Sequence, residues 1–194
     1  MGIDLSANRD LILDYERRLA RTVAGEVVDK PILAMWMILI PIFFVFYYFQ
    51  LKRYKNGLKD FTHNFLITRQ RTVDKVYEAA ASGSAVDIDS IIEVSDTPPE
   101  VTTDYRVWVE TLSEHYWILI EQQGFDFDDL VKAAYPKKST YLAVLNNLNR
   151  VESDFNNALA GYLPGDTESI AEVIEAMQRS VTKNRRLLAA EIYS

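Results

Sequence analysis

The 194-residue chain contains no cysteine. That excludes disulfides, thiolate nucleophiles, iron–sulfur clusters and cysteine-type zinc sites. It has two histidines, His63 and His115, and these alone remain for metal, haem or imidazole acid–base work. No P-loop, G-x-G-x-x-G or G-x-S-x-G pattern occurs, so phosphate-cradling loops and a nucleophile elbow have no sequence basis. Strand-like alternation is absent, as is any internal repeat. Between residues 86 and 129 basic residues all but vanish: twelve acidic groups face one arginine, Arg106. An acidic body of that kind argues against nucleic acid as a partner, because phosphate binding requires clustered Lys and Arg.

What the chain does have is one long apolar run. Pro31 to Phe49 reads PILAMWMILIPIFFVFYYF, nineteen residues without a charge, an amide or a glycine. As a helix it would span roughly 28 Å, about the hydrocarbon core of a bilayer. The thirty residues before it carry six acids, and aromatics follow it in place of a small-residue cleavage site, so it reads as a retained membrane segment rather than a secretory signal. Trp36, Pro41, Phe43, Phe44, Phe46, Tyr47 and Tyr48 are the expected lipid-facing residues, with the tyrosines in an interfacial belt. Lys52, Arg53 and Lys55 follow as a flank suited to lipid headgroups. The basic bias across a single span favours a cytoplasmic C-terminal part. Arg17, Arg18, Arg21 and Lys30 make the other flank basic too, and Pro41 bisects the run. The alternative is therefore a re-entrant hairpin with both ends cytoplasmic, each arm reaching only ~15 Å.

Helical periodicity organises the rest. Residues 9–29 carry Ile12, Tyr15, Leu19, Val23 and Val27 on one face, with Asn8 as the expected N-cap and Glu16 and Glu26 inside or beside the stripe, where an edge pair is the plainer reading and a buried functional carboxylate the rarer one. Residues 58–81 repeat the pattern with Phe61, Phe65, Val73 and Val76, past a possible break at Asn56-Gly57. Ser82-Gly83-Ser84 ends it, and residues 83–96 read as a linker. Thr97-Pro98-Pro99-Glu100 has the form of a capping box opening a helix with Tyr105, Trp108, Leu112, Tyr116 and Ile120, ended by Gly124. A short helix from Asp126 or Phe127 follows. A further helix, with Ser139 as its cap, carries Tyr141 to Leu159. The last, capped by Asp166 or Thr167, carries Ile170, Val173, Ile174, Met177, Val181 and Leu188. The fold class expected is all-α: an N-terminal amphipathic helix (1–30), one hydrophobic transmembrane or re-entrant helix (31–50), a membrane-proximal helix (51–82), and an antiparallel bundle of about four long helices (97–194 packing with 58–81).

Chemistry is thin. Carboxylate-bridged metal sites in bundles use Glu-x-x-His pairs on two helices. The nearest candidates are Asp60 with His63, and Glu114 with His115. The second pair is adjacent in sequence, which sends its side chains about 100° apart on a helix, and a structural or solvent-facing role is the plainer reading for both histidines. Asp126, Asp128 and Asp129 resemble the opening of a calcium loop, but no glycine stands sixth and Lys137 stands twelfth. They fit the first turn of a helix and, with Trp117, a partner-facing surface. No cofactor is expected. The function these observations suggest is a membrane-anchored scaffold, accessory subunit or adaptor, whose partners are the lipid bilayer and other protein subunits, a second copy among them. A membrane-tethered metal enzyme and a lipid-facing membrane-shaping protein are the alternatives.

Overall fold

The computed structural model describes residues 2–27, 41–95, 97–163 and 167–194, with the backbone alone for 41–55, 57, 60 and 169. Seven α-helices and a 3-10 turn account for nearly all of it, and no strand occurs among the described residues. The helices are α1 (Leu5–Val27), α2 (Pro41–Ser82), α3 (Ile88–Glu93), α4 (Thr102–Ile120), α5 (Phe127–Ala134), α6 (Lys138–Ala160) and α7 (Thr167–Ile192). The all-helical bundle expected from the periodicity is present. Its membership is different.

The first helix is part of the core. Ile12, Leu13, Tyr15, Leu19, Ala20, Val23 and Ala24 are buried against α2, α4, α5 and α7. Its start lies upstream of the expected cap: Asp4 accepts a hydrogen bond from the backbone N–H of Ala7 at 3.0 Å. Asn8 serves another helix instead. Its buried amide donates to the carbonyls of Ile120 (2.8 Å) and Gln122 (2.7 Å), which the end of α4 leaves unpaired. Leu5–Val27 thus pack as part of the bundle.

α2 runs 42 residues, straight through Asn56-Gly57, where the sequence suggested a loosening. Gly83, at φ +69°, stops it, and Ser84 N–H bonds back to Ala79 O at 3.0 Å, a glycine-dependent helix end. The chain then returns along α2. Asp87 caps the short α3 by accepting from Ser90 N–H, and Arg71 of α2 reaches the carbonyl of Val94. α4 consequently runs parallel to α2, with Tyr105 beside Thr68 (3.0 Å between hydroxyls) and Trp117 beside Val86 beyond the end of α2. A bundle antiparallel throughout was expected; the return connection of residues 83–101 makes this one pair parallel, while α1–α2, α4–α6 and α6–α7 are antiparallel.

Thr97 does not cap α4. Pro98 sits at φ −55°, ψ 141°, because the ring of Pro99 bars the helical region to the residue before it. Pro99–Val101 form the 3-10 turn, and α4 begins only at Thr102. Gly124 is likewise no cap, since α4 stops at Ile120. A Cβ there would lie 2.8 Å from Asp129 Cβ and 3.0 Å from the Leu130 backbone nitrogen, so the glycine permits the close approach of α5. Lys137, not Ser139, precedes α6, with no side-chain cap bond. Asp166 lies outside the described residues.

The apolar stripes of α4 and α6 are buried as expected. That of α7 is shifted: Val173 is exposed, whereas Ile174, Ser180, Val181, Arg185, Ala189 and Ile192 face inward. Among the described residues no helix is long and apolar enough to cross a membrane. The part of the apolar run before Pro41, Trp36 included, lies outside the described residues. Pro41, Phe43, Phe44, Phe46, Tyr47, Tyr48, Lys52, Arg53 and Lys55 belong to the described backbone of α2.

Candidate functional site

Four charged residues stand on the apolar register of four different helices. Glu16 of α1, Arg69 of α2, Glu152 of α6 and Arg185 of α7 have side chains no more than 6% exposed. Arg69 is the hub. Its Nε lies 3.2 Å from Glu16 Oε2, its Nη2 donates to Glu152 Oε1, and its Nη1 donates to the carbonyl of Phe65 at 2.7 Å. The flat guanidinium lies over the Phe65 ring at 3.6 Å and faces Trp108 at 5.3 Å. Lysine could not make these contacts together, because only the fork of arginine spans two carboxylates while stacking on a ring.

Arg185 closes the far side. Its Nη1 sits 3.1 Å from Glu152 Oε2 and donates to Asn149 Oδ1 at 2.6 Å. Tyr116 of α4 donates its hydroxyl to Glu16 Oε1 at 2.7 Å. The result is a neutral buried chain, Glu16–Arg69–Glu152–Arg185, touching every long helix of the bundle. Two of its links are ion pairs by distance and not aligned hydrogen bonds: Glu16 Oε2, Arg69 Nε and Glu152 Oε2 have no aligned partner. Burial alone would raise the Glu152 pKa, but Arg69 and Arg185 outweigh it and hold the carboxyl below its usual range. Burial opposes the charge on Arg185, and Glu152 beside it leaves the guanidinium more basic than usual.

Next to this chain lies an aromatic layer. His115 is buried, the structural of the two roles open to it, and its Nδ1 is 2.8 Å from the Tyr135 hydroxyl. Its ring stacks with Tyr135 and Tyr141, and Tyr193 donates its hydroxyl to the Tyr135 carbonyl. Burial first, and then Arg185, push the His115 pKa down to about 3. Burial also raises Tyr15, Tyr116 and Tyr141 above the usual phenol value. The layer is therefore held neutral at physiological pH. In chemical terms the arrangement supplies neither a free general base nor a nucleophile: each carboxylate is matched by a guanidinium. What it does supply is a requirement that α1, α2, α4, α6 and α7 meet in one register.

A pH dependence follows. The folded-state pKa of His115 lies below its ordinary 6.5, so its contribution is intact above pH 6.5 and is lost as pH falls toward 3. Lowering the pH from 7.5 to 5 is expected to cost about 2 kcal/mol of unfolding free energy. Glu152 is lost only further down, below the usual carboxylate range. Urea unfolding across that interval, with His115→Gln beside the parent chain, reads the effect. An identical pH response in H115Q would mean that another group carries it.

The sequence candidates scatter. His63 is exposed on α2, beside Arg21, Leu58 and Thr62, whereas His115 is inside and Glu114 is on the outer face of α4. The side chain of Asp60 is not among those described. No group of three or more His, Asp or Glu that could hold a metal forms among the described residues. Asp126 caps α5 by accepting from Asp129 N–H at 2.9 Å, and Asp129 accepts from Phe125 N–H at 3.0 Å, a reciprocal pair close in form to a capping box. Asp128 is part-buried, and burial followed by Asp126 raises its pKa. Trp117 is half-buried over a groove that it shares with Ser84, Val86, Ser113 and Ile118.

Periodicity puts Glu16 inside or beside the α1 stripe and Arg185 among the bases that close the last helix, and it offers no role for Arg69 or Glu152. The available signal was their spacing: Arg69 stands four residues from both Phe65 and Val73, and Arg185 four from both Val181 and Ala189. No protein-family model, curated protein or solved structure matches the chain.

Proposed function

We propose that the chain is a membrane-anchored helical-bundle interaction protein, an accessory subunit or adaptor that holds a partner at a membrane. The observation that carries this reading is the uncharged run Pro31–Phe49, joined through α2 to a bundle whose central charges are all matched internally. A protein of this kind offers surfaces, not a reaction centre. The surface that fits a partner best is the outer face of α4 and the turn after it. Val107, Ile118 and Phe125 are exposed there, the last at 88%, with Glu110, Glu114 and Glu121 between them. Arg106 is the single base of this region and is engaged with Asp89 at 2.6 Å. Arg106 also lies 3.9 Å from Glu110, and apolar contacts set beside Glu114 and Glu121 suit a helix with basic and apolar residues on another subunit. Such an interface associates fast and weakens with salt.

A photo-crosslinking amino acid at Ile118, used in native membranes, tests it. One discrete adduct is expected, reduced at high ionic strength and absent from the Glu110→Lys/Glu114→Lys variant. Recovery of the uncrosslinked single chain under all conditions would sink the proposal.

A further inference from the structure

The packing of α1 fixes where the two ends of the apolar run must emerge. α1 and α2 are antiparallel neighbours in a steady register: Arg9 pairs with Asp74 at 2.6 Å, Glu16 with Arg69 at 3.2 Å, and Arg21 shares a surface depression with Leu58 and Thr62. Continuing that register brings Val27, the last residue of α1, level with Asn56–Leu58 of α2. The backbone of α2 from Pro41 to Lys55 then extends about 22 Å beyond the end of α1. Only 28 residues separate Val27 from Asn56. Crossing a bilayer and returning needs about 40 residues, because each helical span takes about 20. A single crossing would put α1 on the opposite side from α2, α4 and α7, against which it is buried.

From this we infer that residues 2–27 and the whole of the described bundle lie on the same side of the membrane. The inference rests on the membrane reading above and rules out a single crossing between α1 and α2. Two independent features agree with it. Both flanks are basic, with Arg17, Arg18, Arg21 and Lys30 before the run and Lys52, Arg53, Lys55 and Lys59 after it. A single span gains from one basic flank, whereas a hairpin resting on an anionic leaflet gains from two. Pro41, in the middle of the run, is also the first residue of α2, a position that proline suits because it has no N–H to leave unpaired.

The same geometry names the end of the bundle that meets lipid. Leu163 and Val173 stand at the end from which residues 41–55 project and line, with Phe61, Phe65 and Trp108, a cavity of about 570 Å³ that runs up the bundle to Val94 beside Arg71. Leu163, Val173 and Tyr162 are exposed large apolar residues. Phe125 lies at the opposite end, near the start of α1, where Asn8 meets Ile120 and Gln122. The bundle therefore stands end-on, with the Leu163–Val173 rim against the headgroups.

The absence of cysteine makes the test clean. Single-cysteine chains Ser6→Cys and Ser194→Cys, both at exposed positions, are treated with a membrane-impermeant maleimide in intact cells and again after permeabilisation. Matching accessibility at the two positions is expected; labelling of one and protection of the other in intact cells would overturn the inference. Extraction of the parent chain from the pellet by alkaline carbonate reports separately on anchoring, and complete release would defeat the membrane reading instead. For the rim, an environment-sensitive fluorophore on Leu163→Cys and on Phe125→Cys is compared after reconstitution into vesicles of phosphatidylcholine and phosphatidylglycerol. A blue shift at 163 and none at 125 is expected. Equal responses would remove the end-on orientation.

Discussion

Replacing Arg69 with Met is expected to lower the unfolding free energy by about 3–5 kcal/mol, the cost of leaving a buried charge without its partner. The side chain is 2% exposed and is held by two carboxylates from helices on either side of it. Without it, Glu152 retains Arg185, but Glu16 keeps only the Tyr116 hydroxyl. Glu16 then stands as a buried carboxylate without its countercharge. Arg69→Lys recovers little of it, because an ammonium cannot bridge Glu16 and Glu152 while stacking on Phe65. Arg69→Met combined with Glu16→Gln recovers most of it, since the second change removes the orphaned charge. Urea denaturation of the three variants reads these differences. A loss below about 1 kcal/mol in R69M, the range of an exposed pair, would mean that the cluster is hydrated and does not join the helices.

That buried chain shows where sequence reading stopped. The stripes Tyr105–Ile120 and Tyr141–Phe155 were legible because apolar residues at three- and four-residue spacing have few other uses. A charge inside such a stripe is ambiguous when each helix is read alone, since it fits the edge of the stripe as well as its centre. Arg69 finds its partner Glu152 across 83 residues of sequence, and periodicity holds no information on such a pairing. The destination of α1 was hidden for a related reason. Its amphipathic face predicts burial, but a membrane interface, a partner helix and the chain's own bundle are equal answers until a complementary charge such as Arg69 is placed. At Pro98-Pro99 the error was local: the capping-box pattern was matched without the steric effect of the second proline on the first.

Removing residues 2–27 is expected to abolish cooperative unfolding altogether. α1 buries four large side chains, Ile12, Leu13, Leu19 and Val23, each at 5% exposure or less. At about 1.5–3 kcal/mol for each, their contribution is on the order of 10 kcal/mol before Tyr15 is counted. The deletion also orphans Arg69 on one side and uncaps the carbonyls at the end of α4 that Asn8 satisfies. A domain of this size is stable by about 5–15 kcal/mol in all, so nothing remains to hold the other helices in one arrangement. The truncated chain keeps its helical far-UV signal, loses the near-UV signal of its packed aromatics and shows no sharp urea transition. A point substitution separates this from a trivial truncation effect: Leu19→Ala lowers stability by about 2–5 kcal/mol, whereas Arg18→Ala on the exposed face changes it by less than about 0.5 kcal/mol. Sharp unfolding of the truncated chain near the parent's midpoint would show that α1 is peripheral. It would also free α1 to lie on the far side of a membrane, because the helix is confined to the side of the bundle only by the contacts that this deletion removes.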